Sequence, residues 1–235
     1  ASMAAPHVAA LRDVTAALGR EANEAYGLLR VTAPSDVGAM VLAPLLPGFL
    51  ARYPRVQIEI EHTLRVVDLV REGFDLAIRI TMTRLPSSSL IAKKLARMHL
   101  GFYAGTLYAA RHELPKQPKD LARHSCLSHS AGGSTWPVEG PNGVTKVDLP
   151  GRLRTNDFFF AREAIACGLG IAPLPWFLAS PDLAAGRITR VLPDYRMSGG
   201  MTYLVHPPAK PLSPKLVAFT TYLHEHAPRL IVQPF

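Results

Sequence analysis

Residues 27–81 read GLLRVTAPSDVGAMVLAPLLPGFLARYPRVQIEIEHTLRVVDLVREGFDLAIRIT. In this segment three strand patterns alternate with two helical patterns, at 28–33, 35–52, 56–61, 66–72 and 75–80. The run Val56–Glu61 alternates apolar and polar side chains with a period of two, as in a half-buried strand. The order β-α-β-α-β is typical of a parallel sheet with helices on its faces. The segment therefore predicts an α/β fold.

The remainder of the chain continues in the same manner and predicts a second α/β unit. Further strands are predicted at 90–103, 125–128, 152–154, 171–174 and 201–206. Further helices are predicted at 106–111, 118–122, 157–167, from Pro175 onward and at 213–226. A region rich in Gly and Pro, which includes Trp136 and 144–149, predicts a hairpin with irregular loops. In 235 residues, two lobes have about 100 residues each, an ordinary size for a domain.

Composition excludes several classes of protein. An apolar content of 48% with 19% charged residues argues against intrinsic disorder. The two cysteines, Cys126 and Cys167, cannot form a disulfide framework or a thiolate metal cage, so we expect reduced thiols in a cytoplasmic protein. No run reaches the roughly 20 apolar residues of a membrane span, and no signal peptide is recognisable. The net charge of +8 raises nucleic acid or an anionic ligand as a partner without choosing between them.

Residues 7–25 carry a thin apolar stripe at helical spacing, formed by Val8, Leu11, Val14, Leu18, Ala22 and Ala25. Such a stripe gives a helix little surface with which to bury itself alone. Two interpretations remain open for it. The helix either docks on the surface of its own domain or is a linker that packs against another chain or domain.

Catalytic and cofactor motifs find no support in the sequence. The glycines of Cys167-Gly-Leu-Gly170 follow a predicted helix and precede a strand, whereas a nucleotide-binding glycine loop follows a strand and opens a helix. Gly-x-Ser-x-Gly, the hydrolase nucleophile motif, does not occur in the sequence, and the nine histidines have no metal-ligand spacing. We therefore expect no catalytic residue, no bound metal and no cofactor, and the sequence does not predict an enzyme.

Polar residues collect instead at the turns from strand to helix. They are Ser35, Asp36, Thr63, Arg65, Arg79, Thr81, Thr155, Asn156 and Asp157. Ligands of parallel sheets bind beyond the carboxyl ends of the strands, where helix N-termini offer free N–H groups to anions. Each of these residues is also a common helix cap, and the two roles do not exclude each other.

Several segments, none of which is a specific match by itself, together match one family in order and spacing. They are Gly27-Leu-Leu-Arg-Val-Thr-Ala-Pro34, Leu42-Ala-Pro-Leu-Leu-Pro47, Phe49-Leu-Ala-Arg-Tyr-Pro54, Val67-Asp-Leu-Val-Arg-Glu-Gly-Phe-Asp-Leu-Ala-Ile-Arg79, Thr155-Asn-Asp157 and Gly168-Leu-Gly-Ile-Ala-Pro-Leu-Pro175. With these segments, the chain resembles the effector-binding part of LysR-type transcriptional regulators from about Gly27 to His226.

The resemblance implies a periplasmic-binding-protein-like fold of type 2, in which two Rossmann-like α/β subdomains flank a cleft and two crossover strands join them. It implies a linker and dimerisation helix at 4–26, regulatory subdomain I at 27–107 plus 207–235, and regulatory subdomain II at 108–206. In the family a helix-turn-helix DNA-binding domain precedes the linker, and we expect that domain to be missing from this sequence.

Carried over by position, the family's effector site places ten residues around the cleft: Ser35, Asp36, Thr63, Arg79, Thr81, Phe102, His129, Asn156, Asp157 and Phe158. Ser35 and Thr63 are expected to bind a carboxylate, and Phe102 and Phe158 to form apolar walls. Arg79 is expected either to join the site or to pin the end of its strand. Leu64 and Thr81 depart from the family pattern at the cleft rim, so the effector cannot be taken from relatives.

The resemblance also implies the partners. These are a small organic acid, with aromatic acids among the candidates, a homodimer or a full-length tetramer, and DNA bound through the helix-turn-helix domain. In the dimer, the helix at 37–52 of one protomer is expected to meet the helix at 213–226 of the other, with Val41, Leu42, Leu45 and Leu46 available for contact. Two alternatives remain: a solute-binding protein of similar fold and, with less support, an enzyme on the same two-lobe fold.

Overall fold

The first lobe is built on a parallel sheet. The computed structural model describes residues 24–82, 88–130, 135–149 and 151–232. In it β1 (Gly27–Ala33) lies between β2 (Val56–His62) and β3 (Leu76–Thr81) and is parallel to both. Leu29 and Val31 of β1 are fully buried, as expected for a strand covered on both faces. The predicted order β-α-β-α-β is confirmed. The predicted helix at 7–25 lies, except for its last two residues, outside the described residues.

The helical run after β1 is less regular than its sequence predicts. It consists of α1 (Ser35–Val37), a π-helical segment (Gly38–Leu42) and α2 (Ala43–Arg52). Gly38 starts the π segment. The imidazole of His62 lies so close to the backbone there that a Cβ at Gly38 would be 2.0 Å from His62 Cε1. Such π-helical segments are rare and occur mostly as single turns inside α-helices, as here.

The second helix of the first lobe is shorter than predicted. It covers Leu69–Glu72 (α3) rather than 66–72. The carboxylate of Asp68 accepts hydrogen bonds from the amides of Val70 and Arg71, at 3.2 and 3.1 Å, and so fixes the start of the helix. Gly73, with a φ of +72°, ends it.

Two long antiparallel strands join the lobes. They are β4 (Ile91–Gly105) and β11 (Arg196–His206), paired from Ile91 with His206 to Leu100 with Met197. Beyond this pairing, β4 continues along β9 (Ile171–Pro175), while β11 pairs with β3 on its other side. The sheet therefore runs without interruption through both lobes in the order β2-β1-β3-β11-β4-β9-β5-β8, in which β5 is Cys126–His129 and β8 is Gly151–Thr155.

The pairing of these two strands is irregular at two points, between Ser198 and Gly200 and between Thr202 and Tyr203. Ser198 faces His99 and Gly200 faces Met98, so Gly199 is an extra residue, as in a β-bulge. A Cβ at Gly199 would lie 2.7 Å from Met98 Cε, and Gly200 has a φ of +101°. The sequence predicts this strand from Met201, whereas the strand begins at Arg196, and two glycines inside a strand are typical of a bulge.

The second lobe is a further α/β unit. Strands β5 (Cys126–His129) and β8 (Gly151–Thr155) are parallel, and β5 also pairs with β9. The predicted hairpin is present as β6 (Thr135–Gly140) and β7 (Gly143–Asp148). The helices are α4 (Thr106–Ala109), a 3-10 helix (Pro118–Arg123), α5 (Phe158–Ala166) and α6 (Trp176–Ala184). Strand β10 (Ile188–Val191), which pairs with β4, was not predicted.

The chain returns to the first lobe at its end. Helix α7 (Pro214–His226) packs on α2 through Phe219, whose ring lies 4.8 Å from that of Phe49 with the two planes at 70°. A short helix, α8 (Pro228–Ile231), follows and was not predicted. The subdomain boundaries at 107 and 207 stay predictions, because β4 and β11 each belong to both lobes.

Both cysteines of the chain are free thiols. Cys126 is buried and Cys167 exposed, and neither forms a disulfide. Burial raises the pKa of Cys126 to about 12, so that thiol stays protonated.

Within the described ranges, no helix has the length and apolar character required to span a membrane.

Candidate functional site

A cavity of about 360 Å³ opens where the two lobes meet. On one side it is bounded by the residues that follow β1, β2 and β3, whose carboxyl ends lie at one edge of the sheet. The start of α5 bounds it on the other side. Nine of the ten predicted site residues line it: Ser35, Asp36, Thr63, Arg79, Thr81, His129, Asn156, Asp157 and Phe158.

Phe102 is the predicted site residue that the structure places elsewhere. Its side chain is fully buried in the second lobe, where Phe102 pairs with Pro173 and Val191 on the neighbouring strands. Met98 and Leu100 precede it on the same face of β4, since side chains alternate along a strand, and they line the cavity instead. The predicted apolar wall exists, but it lies two to four residues earlier on the strand.

The cavity has an apolar lining that the sequence did not assign. It comprises Pro34, Leu64, Ile80, Met82, Met98, Leu100, Trp136 and Gly199. Of these, the sequence marked only Leu64 as part of the cleft rim. Trp136 is 1% exposed and comes from the hairpin, whose composition predicted irregular loops rather than a wall. The sequence feature that could have indicated this part of the wall is a large aromatic residue, Trp136, within a region rich in Gly and Pro.

Asp36 introduces a buried carboxylate into the first-lobe wall. It is 6% exposed, and its Oδ2 atom is buried without a hydrogen-bond partner. Burial raises the pKa of Asp36 from 3.8 to about 6, because a charged carboxylate is poorly solvated there. The negative charge of Asp157, in the opposite wall, raises this pKa further, whereas the amides of Val37 and Asp36 lower it.

Arg79 introduces a cation into the same wall. Its guanidinium donates hydrogen bonds to the Ile78 carbonyl at 3.0 Å, the Thr32 hydroxyl at 3.3 Å and the Arg65 carbonyl at 3.4 Å. These contacts pin the strand ends, as one of the two predicted roles requires. They are all neutral, and within the described part of the chain no carboxylate forms an ion pair with Arg79. Burial and the nearby charge of Arg65 lower the pKa of Arg79, which an arginine tolerates without losing its proton.

Two hydroxyl groups lie close to these charges. Ser35 begins α1, where no side chain caps the free N–H groups. Thr63 Oγ1 accepts a hydrogen bond from the amide of Arg65 at 3.1 Å, which leaves its own proton to donate. Arg65 itself forms an exposed ion pair with Glu72 at 2.6 Å and does not line the cavity.

The second-lobe wall is organised by its own hydrogen bonds. Asp157 Oδ1 accepts from the amide of Phe160 at 3.1 Å and so caps α5. His129 Nε2 lies 3.2 Å from the carbonyl oxygen of Asn156, and its ring stacks on Phe158 with centroids 4.5 Å apart. Burial lowers the pKa of His129, which favours the neutral ring. The helix-cap interpretation therefore holds for Asp157, whereas Asp36 forms no cap.

Two α/β lobes, joined by two crossing strands and separated by a cavity of ligand size, define a ligand-binding domain of the type 2 periplasmic-binding-protein-like class. The family described as "LysR substrate binding domain" matches residues 22–228. The chain belongs to this family and is the effector-binding domain of a LysR-type transcriptional regulator. The resemblance seen in the sequence is confirmed.

Relatives with curated names are transcriptional regulators. The chain is 33% identical to "HTH-type transcriptional regulator PtxR" of Pseudomonas aeruginosa over 91% of this chain and 67% of that protein. It is 32% identical to "Probable HTH-type transcriptional regulator LtrA" of Klebsiella pneumoniae over 94% of this chain and 72% of that protein.

Solved structures share the fold. The regulatory domain of CrgA, a LysR-type transcriptional regulator from Neisseria meningitidis, superposes with a TM-score of 0.73 at 26% identity. This match covers 85% of the present chain and 98% of the CrgA domain. Full-length AphB of Vibrio cholerae, at 24% identity, matches with a TM-score of 0.74 over 94% of this chain and 76% of AphB, and so supports the fold alone.

Proposed function

We propose that the cavity binds a small organic acid, and that this binding controls DNA binding by the full-length regulator in the cytoplasm. One observation carries the proposal. Arg79 is a cation inside a cavity of about 360 Å³, and its hydrogen bonds go only to neutral oxygens. A carboxylate would be its natural partner, because a charge-assisted hydrogen bond is roughly twice as strong as a neutral one.

The remaining lining supports this ligand class. The hydroxyls of Ser35 and Thr63 supply further donors near the cation, and Met98, Leu100 and Trp136 supply an apolar surface for the body of the ligand. Ligand sites in proteins are built in this way, mostly apolar with a few placed polar groups. Catalysis is not part of the proposal, and the named relatives are regulators.

The position of the cavity supports a regulatory role. A ligand there would contact Arg79 in the first lobe and Phe158 in the second, so its affinity would depend on how the lobes are arranged. A ligand shifts such an equilibrium only by its difference in affinity for the two arrangements. We propose that the shift reaches the DNA-binding part of the full-length protein through a homodimer or tetramer.

The dimer contact needs one revision. Val41 and Leu42, which the sequence offered for it, are about 1% exposed and pack inside their own lobe. Leu50 on α2 and Val217 on α7 are the exposed apolar residues of the two helices, at 37% and 44%. Leu45 and Leu46, which the sequence also offered, are partly exposed and stay available, and we add Leu50 and Val217 to the proposed contact.

Titration calorimetry with a panel of aromatic and aliphatic monocarboxylates and dicarboxylates tests the ligand class. At least one acid is expected to bind, and Arg79→Gln to weaken it by about thirtyfold or more, as expected when a charge-assisted hydrogen bond is lost. Arg111→Gln, an exposed arginine outside the cavity, is the matched control and should leave the affinity unchanged. Equal affinity in Arg79→Gln and the parent chain, or no binding by any acid, would contradict the proposal.

A further inference from the structure

The acidic groups of the cavity outnumber its cation. The charged residues that line it are Arg79 and Asp36 in the first lobe and Asp157 in the second lobe. His129 also lines it, but burial favours its neutral form. Without ligand the lining therefore has one negative charge in excess, and a simple monocarboxylate bound at Arg79 would increase that excess to two.

Asp36 is the lining carboxylate for which no cationic side chain of the described residues is a partner. It is 94% buried (6% exposed), yet its Oδ2 atom has no hydrogen-bond partner, and no described residue forms an ion pair with it. A buried polar atom left in this state costs free energy unless a ligand satisfies it. Asp36 lines the cavity, so a cation that compensates its carboxylate would reach it from that side.

Asp157 lines the same cavity from the second lobe, and its negative charge raises the pKa of Asp36. One of its carboxylate oxygens, Oδ1, is occupied as the cap of α5, which leaves Oδ2 for a second partner. Two carboxylates from opposite lobes thus face the same space, and like charges repel each other there unless a cation lies between them.

We propose that the ligand is a zwitterion that carries a protonated amine as well as its acid group, and that the ammonium lies between Asp36 and Asp157. This inference rests on the proposed function, since the acid group is the one assigned to Arg79. The chemical class is that of an amino acid with an apolar side chain, whose body lies against Met98, Leu100 and Trp136.

An ammonium suits this position better than a hydroxyl. It has three donors and no acceptor, whereas a hydroxyl has a single donor to share between two carboxylates. An ammonium also cancels one of the two negative charges, which a hydroxyl leaves in place. Because it would contact both lobes at once, it would favour the arrangement in which Asp36 and Asp157 are close.

Matched sets of ligands test the amine directly on the unmodified chain. The first set is 3-phenylpropanoate, 3-phenyllactate and phenylalanine, and the second is pentanoate, 2-hydroxypentanoate and norvaline. Near neutral pH the amine of at least one set is expected to bind about tenfold more tightly than both of its analogues, as measured by calorimetry. Equal or tighter binding by a deaminated or hydroxy acid in both sets overturns the inference and leaves the proposed function intact.

Variants locate the effect at Asp36. Asp36→Asn keeps the shape of the side chain and is expected to remove the tenfold preference for the amine, because it removes one of the two carboxylates that the ammonium contacts. Asp194→Asn, an exposed residue outside the cavity, is the matched control. A preference that persists in Asp36→Asn overturns the assignment.

Two further results distinguish a failure of this inference from a failure of the proposed function. If Asp36→Asn does not fold, the parent chain is titrated with the same ligands from about pH 7.5 to about pH 5, where protonation of Asp36 should reduce the preference for the amine. A constant preference over this range counts against Asp36. If no member of either set binds, or if Arg79→Gln leaves every affinity unchanged, the proposed function fails and the inference fails with it.

Discussion

The two walls of the cavity differ in how fully their polar groups are hydrogen-bonded or ion-paired. In the second-lobe wall, Asp157 caps α5 and His129 contacts the carbonyl of Asn156 while stacking on Phe158. In the first-lobe wall, Asp36 keeps a buried oxygen without a partner, and Arg79 is held only by neutral oxygens. One wall is satisfied by its own lobe, whereas the other has charges that its lobe leaves uncompensated.

This difference separates residues that shape the site from residues that bind in it. A satisfied group contributes to stability whether or not a ligand is present. An uncompensated buried charge reduces stability until a ligand neutralises it, which is the relationship expected where function is favoured over stability. The comparison therefore predicts opposite signs for substitutions in the two walls.

The largest effect is expected at Asp36. Its pKa in the folded chain is about 6 and its ordinary value is 3.8, so the folded state binds the proton more tightly than the unfolded state. The contribution of Asp36 to stability is therefore highest below about pH 4, and it is lost as the pH rises through about 6. Near pH 7.5 this loss amounts to about 3 kcal/mol, from about 1.4 kcal/mol for each unit of pKa.

Asp36→Asn should accordingly stabilise the ligand-free chain by up to about 3 kcal/mol near pH 7.5, and by much less near pH 4. Urea unfolding at both pH values measures the difference. Asp194→Asn, in an exposed position, should be neutral at both. A variant that is less stable than the parent at the higher pH would show that Asp36 is compensated after all, and the contrast between the walls would disappear.

Asp157 should show the opposite sign. Asp157→Ala removes the hydrogen bond to the amide of Phe160 and should destabilise the chain by about 1 kcal/mol, the usual value of an N-cap. Asp157→Asn keeps an acceptor at the cap and serves as the control, with a loss of only a few tenths of a kcal/mol. If Asp157→Ala were stabilising, the second wall would also hold an uncompensated charge. Thermal unfolding of the three chains decides the point.

The smallest effect concerns the stacked pair of the second wall. A double-mutant cycle of His129→Ala and Phe158→Leu should give a coupling free energy of about 0.5–1 kcal/mol in the ligand-free chain, because their rings stack 4.5 Å apart. Zero coupling would mean that the stacking does not help to assemble the wall before a ligand arrives.

Periodicity made most of the fold predictable. The strands at 27–81 follow from alternation and from the turns between them, and parallel topology then brings Ser35, Thr63 and Thr81 to one edge. The same rule brings Asp36 and Arg79 to this edge, where both line the cavity. Their protonation and pairing follow from burial, which depends on the other lobe and leaves no trace in the local sequence.

The errors have equally physical causes. Met98 and Leu100 share the alternating apolar pattern of Phe102, and that pattern does not distinguish a core face from the face of a cavity. Strand β10 has four residues, too few for a periodic signal. The glycines at 199 and 200 resemble a turn in the sequence but form an irregularity inside a long strand.

That irregularity has a consequence for the cavity. Since β4 and β11 form one hydrogen-bonded ribbon that passes through both lobes, the lobes cannot separate without breaking hydrogen bonds of that ribbon. A bulge bends the strand that contains it, and Gly199 forms both the bulge and part of the cavity lining. The connection between the lobes is therefore also a wall of the cavity, and any side chain at position 199 would fill space that Met98 and Leu100 now occupy.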